Sequence, residues 1–187
     1  MTTDPRKNDI EDCREGVEKN PRDAQAHFKL GLACRKAKRF EEAAQAYKIS
    51  LQLDRDNTRA LHGLAIAYRK LKRYDKSIAA CRQALKLDPN HAKIHFNLAL
   101  VFEEQGKWEE AIAQHHKVLA LDPEDFQAHY NLARAYDAVK DGSKAIQHTQ
   151  KAESVADREN DEEGIKESQL LLAALIKKYG ESPTTHG

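Results

Sequence analysis

The residues best suited to chemistry in this chain are its nine histidines and three cysteines. Two imidazoles four residues apart on a helix share one face and can grip one metal ion, and His91-x3-His95 has that spacing. The pair straddles a predicted turn and helix start, and no third ligand stands at a matching distance, so these read as structural or surface histidines and no metal is expected. His115 and His116 are adjacent and point to different faces of one helix, which argues against a shared site. Cys13, Cys34 and Cys81 are far apart, odd in number and unaccompanied by Cys-x-x-Cys or Cys/His pairing. Each falls on an apolar periodic position and reads as a reduced core thiol. Glycine-rich phosphate loops, nucleophile elbows and His-Glu-x-x-His runs are absent, so neither enzymatic activity nor a cofactor is expected.

What remains is charge and its distribution. A third of the chain is charged, yet the net charge is only +1. Residues 24–91 carry 15 Lys/Arg against 6 Asp/Glu, whereas residues 92–187 carry 11 against 17. The chain is therefore electrically bipolar, which suits an oriented polypeptide partner and does not favour nucleic acid, since the acidic half would repel phosphate. The Met1-Thr-Thr-Asp-Pro-Arg-Lys start has no apolar run behind it, and nowhere do about 18 consecutive apolar residues occur. No export or membrane segment is expected.

The elements that must position these charges recur every 34 residues. Copies begin at Ala24, Thr58, Ala92 and Phe126, with Leu30, Leu64, Leu98 and Leu132 in one slot and Gly31, Ala65, Ala99 and Ala133 in the next. In the third copy Phe96, Leu98, Ala99, Val101 and Phe102 mix three- and four-residue spacings, which predicts a helix; Gln105-Gly106-Lys107 predicts a tight turn. Trp108, Ala111, Ile112, His115, Val118 and Leu119 predict a second helix, which Asp122-Pro123 closes because proline cannot continue it. One such hairpin is too small to bury its own apolar face, so copies must stack, giving an all-α fold: a right-handed superhelix of antiparallel hairpins. The small columns Gly31/Ala65/Ala99/Ala133 and Ala43/Ser77/Ala111/Ala145 mark close helix approaches.

The ends differ from the repeats. Ile10, Cys13, Val17 and Pro21 fall on apolar or proline slots, so residues 9–23 read as a half repeat covering the first hairpin. Asn160 is a candidate N-cap, followed by Asp161-Glu162-Glu163 and ending at Lys177-Lys178 and Gly180, which predicts a capping helix over 161–179. Ile165, Leu171, Leu172, Leu175, Ile176 and Tyr179 share its buried face and Leu170 lies opposite, exposed or in an oligomer contact. Residues 9–180 then form one domain between disordered tails, 1–8 and 181–187.

Together these residues resemble tetratricopeptide repeats, whose first helix follows W-x2-L-G-x2-Y and whose second carries A-x3-F and a later proline. Copy one has His27-x2-Leu30-Gly31-x2-Cys34 and Ala43-x3-Tyr47. The second has Leu61-x2-Leu64-Ala65-x2-Tyr68, Ser77-x3-Cys81 and Pro89; the third His95-x2-Leu98-Ala99-x2-Phe102, Ala111-x3-His115 and Pro123. The tryptophan slot holds His27, Leu61, His95 and His129, Arg55 replaces proline in copy one, and copy four has Thr149 and no terminal Asp-Pro.

The resemblance implies a concave groove, lined by slots 2, 5, 6, 9, 12 and 13 of the first helices, that binds a peptide or partner segment. Slot 5 reads Phe28, His62, Phe96 and Tyr130, and slot 9 reads Leu32, Ile66, Leu100 and Arg134, an aromatic ladder beside an apolar stripe. Slot 2 supplies Arg59, Lys93 and Gln127; slot 6 supplies Lys29, Asn97 and Asn131. Slots 12 and 13 pass from Arg35-Lys36 and Arg69-Lys70 to Glu103-Glu104 and Asp137-Ala138, so polarity reverses midway, with Lys38, Arg39, Lys72 and Arg73 extending the basic side. A partner with hydrophobic anchors and an acidic stretch would dock at the first two repeats. The carboxylate clamp of one subgroup of the family, which grips heat-shock-chaperone tails, is matched only by Lys93, Asn97 and Asn131, with Asp161 and Ile165 where its cations belong. The expected role is a cytoplasmic adaptor or co-chaperone-like binding module, the alternative a self-associating scaffold or assembly factor joined through the capping helix around Leu170 or through end-to-end stacking.

Overall fold

The computed structural model describes residues 5–180. Ten helices and no strands occur among them: α1 (Pro5–Lys19), α2 (Ala24–Lys36), α3 (Phe40–Leu53), α4 (Thr58–Lys70), α5 (Tyr74–Leu87), α6 (Ala92–Glu104), α7 (Trp108–Leu121), α8 (Phe126–Ala138), α9 (Gly142–Glu159) and α10 (Glu162–Tyr179). The fold is all-α, of the helical-repeat class. Each copy of the 34-residue unit is one helix pair, and neighbours in sequence pack as neighbours in space: α1 on α2, α2 on α3, α3 on α4 and α4 on α5, and likewise α7 on α8, α8 on α9 and α9 on α10. The chain forms two compact units, Met1–Asn97 and Leu98–Gly187. A stack held by neighbour contacts has no single core to prevent such a division.

The reversal inside each hairpin is set by one residue. Lys38, Lys72, Gly106 and Lys140, spaced by the repeat, have φ of 60°, 57°, 71° and 63°. In each case the left-handed residue donates to a carbonyl three back, as Lys72 N does to Arg69 O at 2.8 Å, and its successor to a carbonyl five back, as Arg73 N does to Tyr68 O at 2.8 Å. These paired bonds satisfy carbonyls that the helix end would otherwise strand. Three of the four positions hold lysine, where only the third copy supplies the glycine that the sequence pattern uses to mark the turn.

The first helices of copies one, two and four begin at acidic or amide caps. Asp23 accepts from Gln25 N at 2.8 Å, Asn57 from Ala60 N at 3.0 Å and Asp125 from Ala128 N at 2.7 Å. A second recurring clamp explains the histidines of the tryptophan slot. His27 Nε2 lies 2.9 Å from Pro21 O, His95 Nε2 2.9 Å from Pro89 O and His129 Nε2 3.1 Å from Pro123 O. A carbonyl only accepts, so each ring donates across the loop and ties the helix to the preceding turn. In the copy where Arg55 stands for proline, Leu61 stands for histidine and is 1% exposed, an apolar filling of the same slot.

The small columns do bring helices together. Ala65, Ala99, Ala133, Ala43, Ser77, Ala111 and Ala145 are all fully buried, and Ser77 Oγ donates to Ala65 O at 2.7 Å, directly joining one column to the other. In unit 1 the space goes to Tyr47, 1% exposed, packed with Ile10, Phe28, Cys34 and Leu64. Its ring lies so close to α2 and α4 that a Cβ on Gly31 would come within 2.8 Å and one on Gly63 within 2.4 Å. In unit 2 the core is Leu132, Tyr136, Ala145 and Leu175, joined by Ile112, Ile146, Leu171 and Tyr179.

Both ends depart from the sequence reading in detail. α1 starts at Pro5, inside the segment expected to be disordered, since proline is well suited to a helix's first turn; its Ile10 is 2% exposed against the first hairpin. The remaining tail residues, 1–4 and 181–187, lie outside the described residues. At the other end Asp161, not Asn160, caps α10, accepting from Gly164 N at 3.1 Å, and Asn160 ends α9 at φ 56°. Asparagine tolerates the left-handed region better than other side chains, which makes it the stop rather than the start. Without an Asp-Pro terminator α9 runs 18 residues where α3, α5 and α7 run 14. Leu175 is buried, an anchor of about 1.5–3 kcal/mol. Ile176, expected on the buried face, is 50% exposed, and Leu170 is 65% exposed.

Glycine to alanine inside a helix ordinarily stabilises by about 1 kcal/mol. At Gly63 the sign reverses: Gly63→Ala forces the added methyl into the Tyr47 ring and lowers stability by about 1–3 kcal/mol in urea titration followed by circular dichroism.

Candidate peptide-binding surface

Unit 1 brings part of the expected groove into one pocket of about 710 Å³. Phe28, Leu32 and Arg35 come from α2, Arg59, His62 and Ile66 from α4, and Lys93 from α6. Slots 2, 5, 9 and 12 converge because they fall on one helix face and α2 packs on α4. Tyr47 and Gly63 complete the lining, with Asp88, Asn90 and His91 from the α5–α6 turn and Ala92 at the start of α6. Gly63 and Ala92 stand at slots 6 and 1 of their first helices; Tyr47, Asp88, Asn90 and His91 escape a reading confined to first-helix slots, and the three loop members could have been found only from the Asp-Pro-Asn-His run that closes one repeat beside the next.

Three permanent cations face this space against one carboxylate, Asp88. Arg59 lies over the Phe28 ring, 4.9 Å from its centroid, and Phe28 is itself buried. The buried Arg35 Nε has no hydrogen-bond partner in the chain. An unmatched buried donor carries a desolvation cost of about 1–3 kcal/mol that an acceptor from outside would relieve. His62 meets His91 at 5.7 Å between ring centroids. Burial, then the positive charges of His91, Arg35 and Lys93, push the His62 imidazole down to about 4, so it is neutral at pH 7 and the field around it is positive.

Other expected groove residues are occupied within the chain. Asn97 is 3% exposed; its Oδ1 accepts from Arg69 Nε at 2.9 Å and its Nδ2 faces Cys81 Sγ at 3.4 Å. Asn131 is 6% exposed, so two of the three clamp-like positions are buried. Burial raises the Cys81 thiol to about 11, leaving it protonated. Lys29 and Lys36 border a separate shallow pocket with Asp9, Asp12 and Cys13. Lys70 is exposed.

In unit 2 the acidic slots find internal partners. Glu103 Oε1 lies 2.6 Å from His115 Nε2. Asp137 accepts from Lys178 Nζ at 2.7 Å and from the Tyr179 hydroxyl at 2.8 Å, so the end of α10 sits on this slot. Burial pushes the Asp137 carboxyl up, but the bonds from Lys178 and Tyr179 together hold it below the ordinary carboxylate range. Tyr130 stacks on Phe126 with centroids 5.9 Å apart. Leu100 and Phe96 are half-buried, and Glu104, Gln127 and Arg134 are exposed. Among the described residues no group of three or more His, Cys, Asp or Glu side chains could hold a metal ion, and no helix is long and apolar enough to cross a membrane.

Comparison with known proteins agrees with this fold. Profiles described as tetratricopeptide repeat match residues 13–58, 57–124 and 102–160. Among solved structures the chain resembles MamA, with a TM-score of 0.77 and 19% identity over 86% of this chain and 99% of that one. It also resembles YrrB, described as a TPR protein with an unusual peptide-binding site, at TM-score 0.71 and 19% identity over 88% and 84%. The thermophilic TPR protein TTC0263 from Thermus thermophilus matches at TM-score 0.72 and 19% identity over 88% and 89%. A comparison with curated proteins returned no match. At these identities the solved structures speak to fold, and the repeat profiles, matching end to end from residue 13 to residue 160, speak to family: the chain belongs to the tetratricopeptide-repeat family.

Proposed function

We propose that this chain is a protein–protein interaction module that takes a peptide or partner segment against its first-helix faces, works by binding rather than catalysis, and serves as an adaptor or co-chaperone-like factor in the cytoplasm. The observation that carries the reading is the unit 1 pocket. Apolar side chains Phe28, Leu32 and Ile66 share it with Arg35, Arg59 and Lys93, and the buried Arg35 Nε lacks an acceptor. Such a wall takes an apolar anchor flanked by acidic residues, the anchor for affinity and the charges for orientation. YrrB, similar in fold, is described as peptide-binding, which supports the class of function without identifying this chain's ligand.

A second reading rests on α10. Leu170 at 65% exposure and Ile176 at 50% leave apolar surface on the final helix, where a second copy would join to make a scaffold.

One experiment separates the two. Peptides selected from a random display library on the immobilised chain should be enriched in Asp/Glu beside Leu, Ile or Phe, and Arg59→Glu with Lys93→Glu should weaken their binding at least tenfold in fluorescence anisotropy, about 1.4 kcal/mol or more. Leu170→Lys should leave both peptide affinity and the light-scattering mass unchanged. Unselective peptides and a mass that falls in Leu170→Lys favour the scaffold.

A further inference from the structure

Three histidines of unit 2, left aside by the binding reading, meet at one place from three helices. His116 of α7, His129 of α8 and His148 of α9 surround Tyr136 of α8. His116 Nε2 lies 2.9 Å from the Tyr136 hydroxyl. Tyr136 stacks on His148, centroids 5.5 Å apart and planes at 12°. His129 Nδ1 lies 3.0 Å from His148 Nδ1, and His116 stands edge-on to His148 at 5.9 Å.

The protons in this cluster can be placed by elimination. His129 Nε2 faces the Pro123 carbonyl at 3.1 Å, and a carbonyl only accepts, so Nε2 carries the hydrogen. In the neutral ring Nδ1 is then bare and accepts, which makes His148 Nδ1 the donor and leaves His148 Nε2 without a hydrogen. One proton can add at His148 Nε2 with the bond intact. A second must add at His129 Nδ1, setting N–H against N–H and two imidazolium charges side by side.

We propose that His116, His129, Tyr136 and His148 form a proton-sensitive latch: they hold α7, α8 and α9 together while the rings are neutral, loosen as His148 takes up a proton, and release α9 fully when a second proton sets N–H against N–H at His129.

The surrounding charges set the direction. Lys144 of α9 lies 5.1 Å from the Tyr136 ring centroid and is paired with Asp141. Lys151 of α9 adds positive potential at His129, and Asp125, the α8 N-cap, opposes it. His115 of α7, next to His116 in sequence, faces Glu103 of α6, and α10 commits Lys178 and Tyr179 to Asp137. Burial, then His129, His116 and Lys144, push His148 down to about 4; burial first also lowers His116 and His129. With folded values below the unfolded 6.5, the open state binds more protons. Stability is therefore whole above pH 6.5 and is lost as pH falls from there toward about 4.

Hydrogen exchange by mass spectrometry on the full chain at pH 7 and pH 5, corrected for intrinsic rates, tests the latch. The opening constant of the α8–α9 segment should rise by about 20-fold from His148 alone, and the rise should be at least fivefold smaller in His148→Gln. His62 gives unit 1 its own acid response, so the comparison is made within α8–α9 between the two chains. No rise in the wild type, or less than a fivefold difference between the chains, overturns the proposal. Should His148→Gln fail to fold, imidazole ¹⁵N shifts of the wild type at pH 7.5 decide: His129 protonated at Nε2 and His148 at Nδ1 support it, and His148 protonated at Nε2 overturns it.

Discussion

Every hairpin in this chain turns through a single residue held in the left-handed region, at Lys38, Lys72, Gly106 and Lys140, and the helices of each repeat are positioned relative to that turn. The conformation costs a non-glycine residue roughly 1–2 kcal/mol, yet three of the four are lysine. What sustains it is the pair of backbone bonds each turn makes to the end of its first helix. Because the turn fixes the phase between the two helices, the small columns meet, Ser77 reaches the Ala65 carbonyl, and the slot 5 and slot 9 side chains are presented on one face. A second tether, histidine to the proline carbonyl six residues earlier, fixes the entry to the first helix in three copies. Together they leave little freedom in the frame.

That division of labour explains what could be read from residues alone. Packing repeats with the period, so the repeat helices and the small columns follow from the spacing of Leu30, Leu64, Leu98 and Leu132, while the final helix is legible from its own acidic start and basic end. The caps are harder, because Asn160 and Asp161 are both good N-cap residues and only backbone geometry assigns the left-handed stop to asparagine. Side-chain pairing between elements is harder still. Glu103 and Asp137 look like free charges in slot order, but His115 and the α10 residues Lys178 and Tyr179 take them up from other helices. The pocket's loop members, Asp88, Asn90 and His91, belong to no first-helix slot and become visible only when the turn folds against α4.

The two units thus use one frame for different ends. In unit 2 the carboxylates of slot 12 and the histidines near Tyr136 are turned inward to neighbours, so that much of its polarity is spent on cohesion. In unit 1 Arg59 and Lys93 remain turned outward around an apolar wall, and one Arg35 donor is buried without an acceptor. The asymmetry in charge first seen along the sequence is carried into the fold, and the proposed function rests on the basic unit.

His62 sits inside that surface and responds to its charge, which makes it the most direct gauge of the central claim. Its ionisation, followed by NMR of the ring C–H resonances, should lie near 4 in the free chain and move up toward 6.5 when the pocket is saturated with a peptide bearing acidic residues beside an apolar anchor. A His62 that titrates near 6.5 in the free chain, or does not move when such a peptide is bound, would contradict the assignment of this pocket as the electropositive seat of the partner.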